Sequence, residues 1–233
     1  MKHGAIRTEE GMICDGGKQY GKKNASKTSP LTNTFLDGGY AELEPWEWGG
    51  ATSIEIYVKV ENFNTNFTHL FMFQHQSELS TVTHDLLQMT LDATDRNDSR
   101  VAFAIDKGPK SAKPHWRFCR ELEHSAPQNA NWTHYVCTVS KAGTMMIFKN
   151  GYVCAMDDTG HSPNVCYRER NVLAGMANGN GESTICYMKG IYGYIRFWHG
   201  TELNENHVSY LYRNRNLRGA DLGLVKRKEE GGG

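Results

Sequence analysis

Within Gly190–Tyr212, GIYGYIRFWHGTELNENHVSYLY, the chain changes its hydrophobic period in the space of a few residues. Strand alternation sets Tyr192, Tyr194, Arg196 and Trp198 on one face, with Ile191, Ile195 and Phe197 mainly on the other. Leu203, His207, Val208, Leu211 and Tyr212 then recur at the three- and four-residue steps of a short amphipathic helix. Asn204 stands where that helix needs an N-cap. A long series of strand-like segments that ends in this way predicts a β domain closed by one short helix.

The segments before it support that expectation. In Ser53–Val60, SIEIYVKV, the residues Ile54, Ile56, Val58 and Val60 alternate with Glu55, Tyr57 and Lys59, as in an antiparallel strand with one buried face. Tyr40–Leu43, Leu70–Gln74, Leu86–Leu91, Arg100–Ile105, Trp132–Ser140 and Asn171–Gly175 read as further strands. Residues 45–50, PWEWGG, read as an aromatic turn, and 107–114, KGPKSAKP, as a basic loop. Asn150–Gly151 is the strongest hairpin signal, because both central positions of a type I′ turn need positive φ. It joins Met145–Lys149 to Tyr152–Ala155.

The charge balance narrows the partners. Lys plus Arg equal Asp plus Glu at 26 each, which argues against phosphate neutralisation of a nucleic acid. No run reaches the roughly 18–20 apolar residues of a membrane span. Six cysteines show neither CxxC nor Cys/His ligand spacing, leaving disulfides or buried thiols. Cys154 with Cys166 is the first expected bridge and Cys119 with Cys137 the second. Sequons at Asn24, Asn66, Asn97 and Asn131, beside an even cysteine count, point to an extracellular or cell-surface setting. The N-terminal MKHGAIRTEEGMICDGG lacks the apolar core of a secretory signal, so that setting implies a removed leader or a piece of a longer, multidomain protein.

Four segments in order, FLDGGYAEL (35–43), SIEIYVKV (53–60), WTHYVCTVSKAGTMMIFKNGYV (132–153) and GYIRFWHGTELNENHVSYLY (193–212), resemble the laminin-G-like jelly roll of the concanavalin-A-like lectin and glucanase superfamily. The resemblance implies an all-β, antiparallel two-sheet sandwich with one short C-terminal helix. It divides the chain into an extension at 1–3, the sandwich at 4–215 and a loosely ordered tail at 216–233. It also implies a non-catalytic recognition module for a glycan or glycoprotein, with calcium at the sandwich rim in many members. A glycoside hydrolase or lyase of the superfamily and a purely structural adhesion domain are the alternatives.

Each reading names residues. A glycosidase needs two carboxyl groups roughly 5–5.5 Å or 6.5–9.5 Å apart. Glu42 and Glu44 come nearest to the superfamily's Glu-x-Asp motif, but the central Asp is missing and Pro45 ends the strand, so a solvated face is the reading here. Glu55 stands alone between two isoleucines, and His134 matches the family's Trp-x-His strand as a structural partner of the sheet. Calcium wants six to eight oxygens. Asp92, Asp95 and Asp98 are its candidate ligands ahead of Asp157–Asp158, with ordinary turn chemistry as the alternative. Trp46 and Trp48 either stack on pyranose rings or seal the rim of the core. Trp116 with Lys110, Lys113 and Arg117 would suit an acidic glycan, or form a solvated basic loop.

Overall fold

The computed structural model describes residues 6–7, 12–15, 40–63, 67–75, 84–92, 100–107, 116–121, 131–177, 184–185 and 188–216. Its strands are β1 (Ile6–Arg7), β2 (Met12–Asp15), β3 (Ala41–Leu43), β4 (Trp46–Trp48), β5 (Thr52–Phe63), β6 (Phe67–His75), β7 (His84–Asp92), β8 (Arg100–Asp106) and β9 (Trp116–Arg120). They continue with β10 (Trp132–Val139), β11 (Met145–Lys149), β12 (Tyr152–Asp157), β13 (Cys166–Arg168), β14 (Arg170–Leu173), β15 (Met176–Ala177), β16 (Thr184–Ile185) and β17 (Met188–His199). Among the described residues one helix, α1 (Glu205–Arg213), follows.

Two antiparallel sheets make the sandwich. One has seven strands in the order β1-β2-β17-β5-β10-β11-β12, the other six in the order β3-β14-β6-β7-β8-β9. Ile54, Ile56 and Val58 of β5 face Phe71 and Phe73 of β6, Leu87 and Met89 of β7, and Phe103 and Ile105 of β8 in one buried core. Each such side chain contributes roughly 1.5–3 kcal/mol on leaving water. This is the all-β sandwich the alternation predicts.

The hairpin and the helix follow their local signals. Asn150 and Gly151 take φ of 50° and 89° between β11 and β12. The Asn150 side chain also accepts the His134 N–H at 3.0 Å, which ties the turn to β10. Asn204 caps α1 through its side chain, and His207 returns a bond to the cap in a capping box. Val208 and Leu211 then bury the helix against Val136 and Phe148, on the outer face of the seven-stranded sheet.

Three local expectations need correction. Residues 46–48 form strand β4, paired with β13, where a turn was expected. Residues 116–120 form β9, the edge of the six-stranded sheet, where a basic loop was expected to run on. Tyr192 leaves the outer face because a bulge at Gly193 shifts the register of β17 against β5. Its ring is buried and its hydroxyl donates to the Leu70 carbonyl. Glycine suits the bulge, since a Cβ there would come within 2.9 Å of the Tyr57 ring and 3.3 Å of Trp132.

Candidate functional site

The outer face of the six-stranded sheet is mixed: Tyr40, Met72, Leu86 and Val172 form a small buried apolar cluster, with polar side chains beside it. Period-two alternation sets Leu87, Met89 and Leu91 inward and leaves Gln88 and Thr90 outward on β7. On β8 the outward residues include Ala102 and Ala104, opposite Thr90 and Gln88. On β9 they are Phe118 and Arg120, opposite Ala104 and Ala102. Two alanines therefore form the floor of a trough between Gln88 and Thr90 on one side and Phe118 and Arg120 on the other. Phe118 is 40% exposed. The Arg120 guanidinium lies over its ring at 4.8 Å, and Arg120 is itself exposed.

Deeper on the same face, β6 supplies His69 and Gln74. Gln74 pairs with Leu86 and Arg170 on its flanking strands and is 0% exposed. Neither its amide nitrogen nor its amide oxygen has a hydrogen-bond partner. Native proteins pair the large majority of such buried polar atoms, because leaving one unpaired costs about 1–3 kcal/mol. Nδ1 of His69 is buried without a partner as well. His69 Nε2 donates to Gln88 Oε1 at 3.1 Å, which joins the deep groups to the accessible ones.

Burial holds the His69 imidazole down to about 4, against the hydrogen bond to Gln88, which raises it. The unfolded chain then binds a proton that the folded chain refuses, so stability falls as pH drops from about 6.5 towards 4. The contribution is complete above the unfolded value. Urea denaturation at pH 6.5 and 5.5 should show wild type losing about 1 kcal/mol more over that unit than His69→Gln. Equal losses would mean that His69 titrates normally.

Among the described residues of this face, Glu42 and Asp106 do not make a glycosidase pair. Glu42 is paired with Arg170 at 2.8 Å on the β3 edge. Asp106 lies on β8, four strands away in the sheet order. At about 4.8 Å per strand that is roughly 19 Å, beyond either glycosidase separation. Glu44 is exposed past the end of β3.

Glu55 is on the other sheet, and it is not alone. His134 Nε2 donates to Glu55 Oε1 at 2.8 Å, the Tyr194 hydroxyl donates to the same oxygen at 2.7 Å, and Arg196 reaches both oxygens at 3.2 and 3.3 Å. Glu55 and His134 are fully buried. Burial and the neighbouring Glu55 push the Tyr194 phenol well above its usual range. A carboxylate with three donors and a phenol that resists ionisation organise structure; they do not supply a nucleophile.

The remaining sequence candidates fall in several places. Trp48 is 1% exposed, with the Arg168 guanidinium over its ring at 4.2 Å. Trp46 is half-buried, stacks on Trp48 at 6.0 Å and meets Phe197 edge-on at 5.2 Å. The pair therefore closes one end of the core, with no ring face of Trp48 left for a sugar. Trp116 registers with Asp106 at the head of β9, and the exposed Arg117 registers with the inward Ile105, so Arg117 lies on the face of β9 opposite Phe118 and Arg120. Lys110, Lys113, Asp95 and Asp98 lie outside the described residues. Asp92 ends β7 opposite Arg100. Asp157 accepts both the N–H and the hydroxyl of Thr159 at 2.7 Å, which is turn chemistry. Among the described residues no three His, Cys, Asp or Glu side chains converge on a metal position.

Neither expected disulfide forms: Cys119, Cys137, Cys154 and Cys166 are free thiols. Cys137 lies in the core with its sulfur 3.6 Å from that of Met89, and Cys154 donates to the Ile147 carbonyl at 3.3 Å. Burial pushes the Cys119 thiol up to about 12. Such thiols stay protonated and unreactive at neutral pH.

No known protein-family profile matches the chain, and no curated protein sequence does. Solved structures do. Domain 4 of AbnA, a GH43 extracellular arabinanase from Geobacillus stearothermophilus in complex with arabinotriose, matches with a TM-score of 0.57 at 14% identity, over 89% of this chain and 80% of that one. The CBM40 of Ruminococcus gnavus IT-sialidase, bound to α2,3 sialyllactose, matches with a TM-score of 0.53 at 10% identity, over 73% and 95%. A leech intramolecular trans-sialidase complexed with 2,7-anhydro-Neu5Ac matches at 0.52 and 10% identity, over 72% of this chain and 26% of that one. At these identities the likeness is one of fold.

Proposed function

We propose that the chain is a non-catalytic glycan-binding module whose ligand lies on the outer face of the six-stranded sheet. The observation that carries this reading is the exposed Phe118 and Arg120 of β9, set beside the small side chains of Ala102 and Ala104 with Gln88 on the far side. Phe118 supplies an apolar surface for the C–H face of a pyranose, and Arg120 and Gln88 supply accessible polar ends. The separation of Glu42 from Asp106 supports binding without turnover. The sugars in the structures of similar fold, and the laminin-G-like order of sequence segments, favour the same class of ligand. An extracellular or cell-surface setting within a larger protein belongs to this proposal. Among the described residues no helix is long and apolar enough to cross a membrane.

A glycan array probed with wild type, Phe118→Ala and Arg120→Ala tests it. Both side chains are exposed on an edge strand, so folding should survive their loss. Each substitution should weaken binding to the positive glycans about tenfold, or ~1.4 kcal/mol. An array with no positive glycan, or binding that neither substitution weakens, would overturn the reading. Turnover of a bound polysaccharide would move the protein to the hydrolases.

A further inference from the structure

The two edges of the six-stranded sheet carry charge: Glu42 on β3, and the exposed Arg117 and Arg120 on β9. Charged side chains on an edge strand discourage another strand from pairing with it. The seven-stranded sheet ends differently. Its last strand is β12, YVCAMD, which contains no Lys, Arg or Pro. Its single charge, Asp157, is taken up by Thr159. Yet Tyr152 is 74% exposed, Met156 64% and Val153 43%. Helix α1 lies against the same strand and adds the half-exposed Tyr210. Among the described residues, four of the seven exposed large apolar side chains thus gather at this one edge.

We propose that β12 pairs antiparallel with β12 of a second copy, joining two seven-stranded sheets into one. The outward backbone groups of an edge strand call for another strand, and the side chains specify which. Val153 registers with Phe148, and Met156 with Met146, across the bulge in β12, so both lie on the outer face. They flank the midpoint of the strand. A twofold axis through that midpoint sets Val153 of one copy against Met156 of the other, twice, with apolar groups on both sides. Such an isologous contact closes on itself and does not propagate into a fibre. The axis runs perpendicular to the sheet, so the two outer faces with Gln74 and Phe118 turn the same way. That bivalent display rests on the glycan-binding reading; the pairing itself does not.

Sedimentation equilibrium from about 1 to 100 µM tests the pairing on the whole chain. The expected mass is twice the 26.3 kDa of one chain. Val153→Lys and Met156→Lys should each raise the dissociation constant at least tenfold, with an unchanged far-ultraviolet circular dichroism spectrum. Val165→Lys, equally exposed but away from β12, should leave the dimer intact. Amide exchange in β12 should slow as concentration rises. A wild-type monomer throughout the range, a dimer indifferent to both β12 lysines, or equal weakening by Val165→Lys would overturn the proposal. Glycan binding by a monomer would leave the functional reading standing while sinking this one.

Discussion

Glu55→Ala should destabilise the fold by about 3–5 kcal/mol, the cost of removing one partner from a buried ion pair. The reason is the number of donors left behind. His134, Tyr194 and Arg196 all direct N–H or O–H groups at the Glu55 carboxylate, and the glutamate and histidine are sealed from water. Without it these donors face an apolar gap, and water cannot repay them. The damage spreads because the ring of His134 also packs on Tyr212, the last but one residue of α1, at 5.6 Å. The helix therefore loosens with the cluster. For a chain of this size, about 2–4 °C of melting temperature per kcal/mol predicts a fall of roughly 10 °C. Glu55→Gln, which keeps the shape and one acceptor, should cost clearly less. Urea denaturation of both variants measures this. A loss below about 1 kcal/mol for the alanine variant would place the cluster among weak surface pairs.

Gly49→Ala should cost a similar amount for a different reason. Gly49 has φ of 158°, and a Cβ there would lie 2.1 Å from the carbonyl oxygen of Asn164 and 2.7 Å from Cα of Val165. Both obstacles are backbone, so no rotamer can relieve the clash. The strands must part, and that releases what they hold. Gly50 N–H donates to the Pro163 carbonyl at 2.8 Å. The buried Arg168 donates to the carbonyls of Trp48, Cys166 and Asn164 while its guanidinium covers Trp48. Backbone strain and overpacking, each about 1–3 kcal/mol, add at this position. Gly50→Ala is the comparison. Its φ is also positive, at 71°, but a Cβ there meets nothing within 4 Å. It should lose only about 1–2 kcal/mol, the price of a left-handed conformation. Equal losses for the two variants would refute close approach as the cause.

Much of the sandwich was legible along the chain, because its signals are local. Alternation in SIEIYVKV needs no partner to be recognised, and Asn150–Gly151 demands positive φ in any context. Asn204 caps α1 with groups only three residues away. Even the trough had a trace in the sequence: Gln88 and Thr90 alternate with Leu87, Met89 and Leu91, and Ala102 and Ala104 with Val101, Phe103 and Ile105. A pattern of large apolar residues against small and polar ones marks a strand whose two faces pack differently. Gln74 was hidden in FTHLFMFQH, because the irregularity between His69 and Phe71 breaks the alternation that would have exposed it.

What the chain determined alone is therefore its class and its closing elements: antiparallel strands, a type I′ hairpin and a capped helix, each set by contacts within a few residues. Tertiary structure decided the rest. Glu55 meets Tyr194 and Arg196 from 139 and 141 residues away, and Arg168 reaches Trp48 across 120. Whether a tryptophan seals a core or offers a face, and whether a glutamate is solvated or sealed, depends on which distant strand lies beside it. The Gly193 bulge shows how small the deciding step can be. One extra residue turns Tyr192 inward, and with it changes which side chains the closing strand presents to the sheet's outer face.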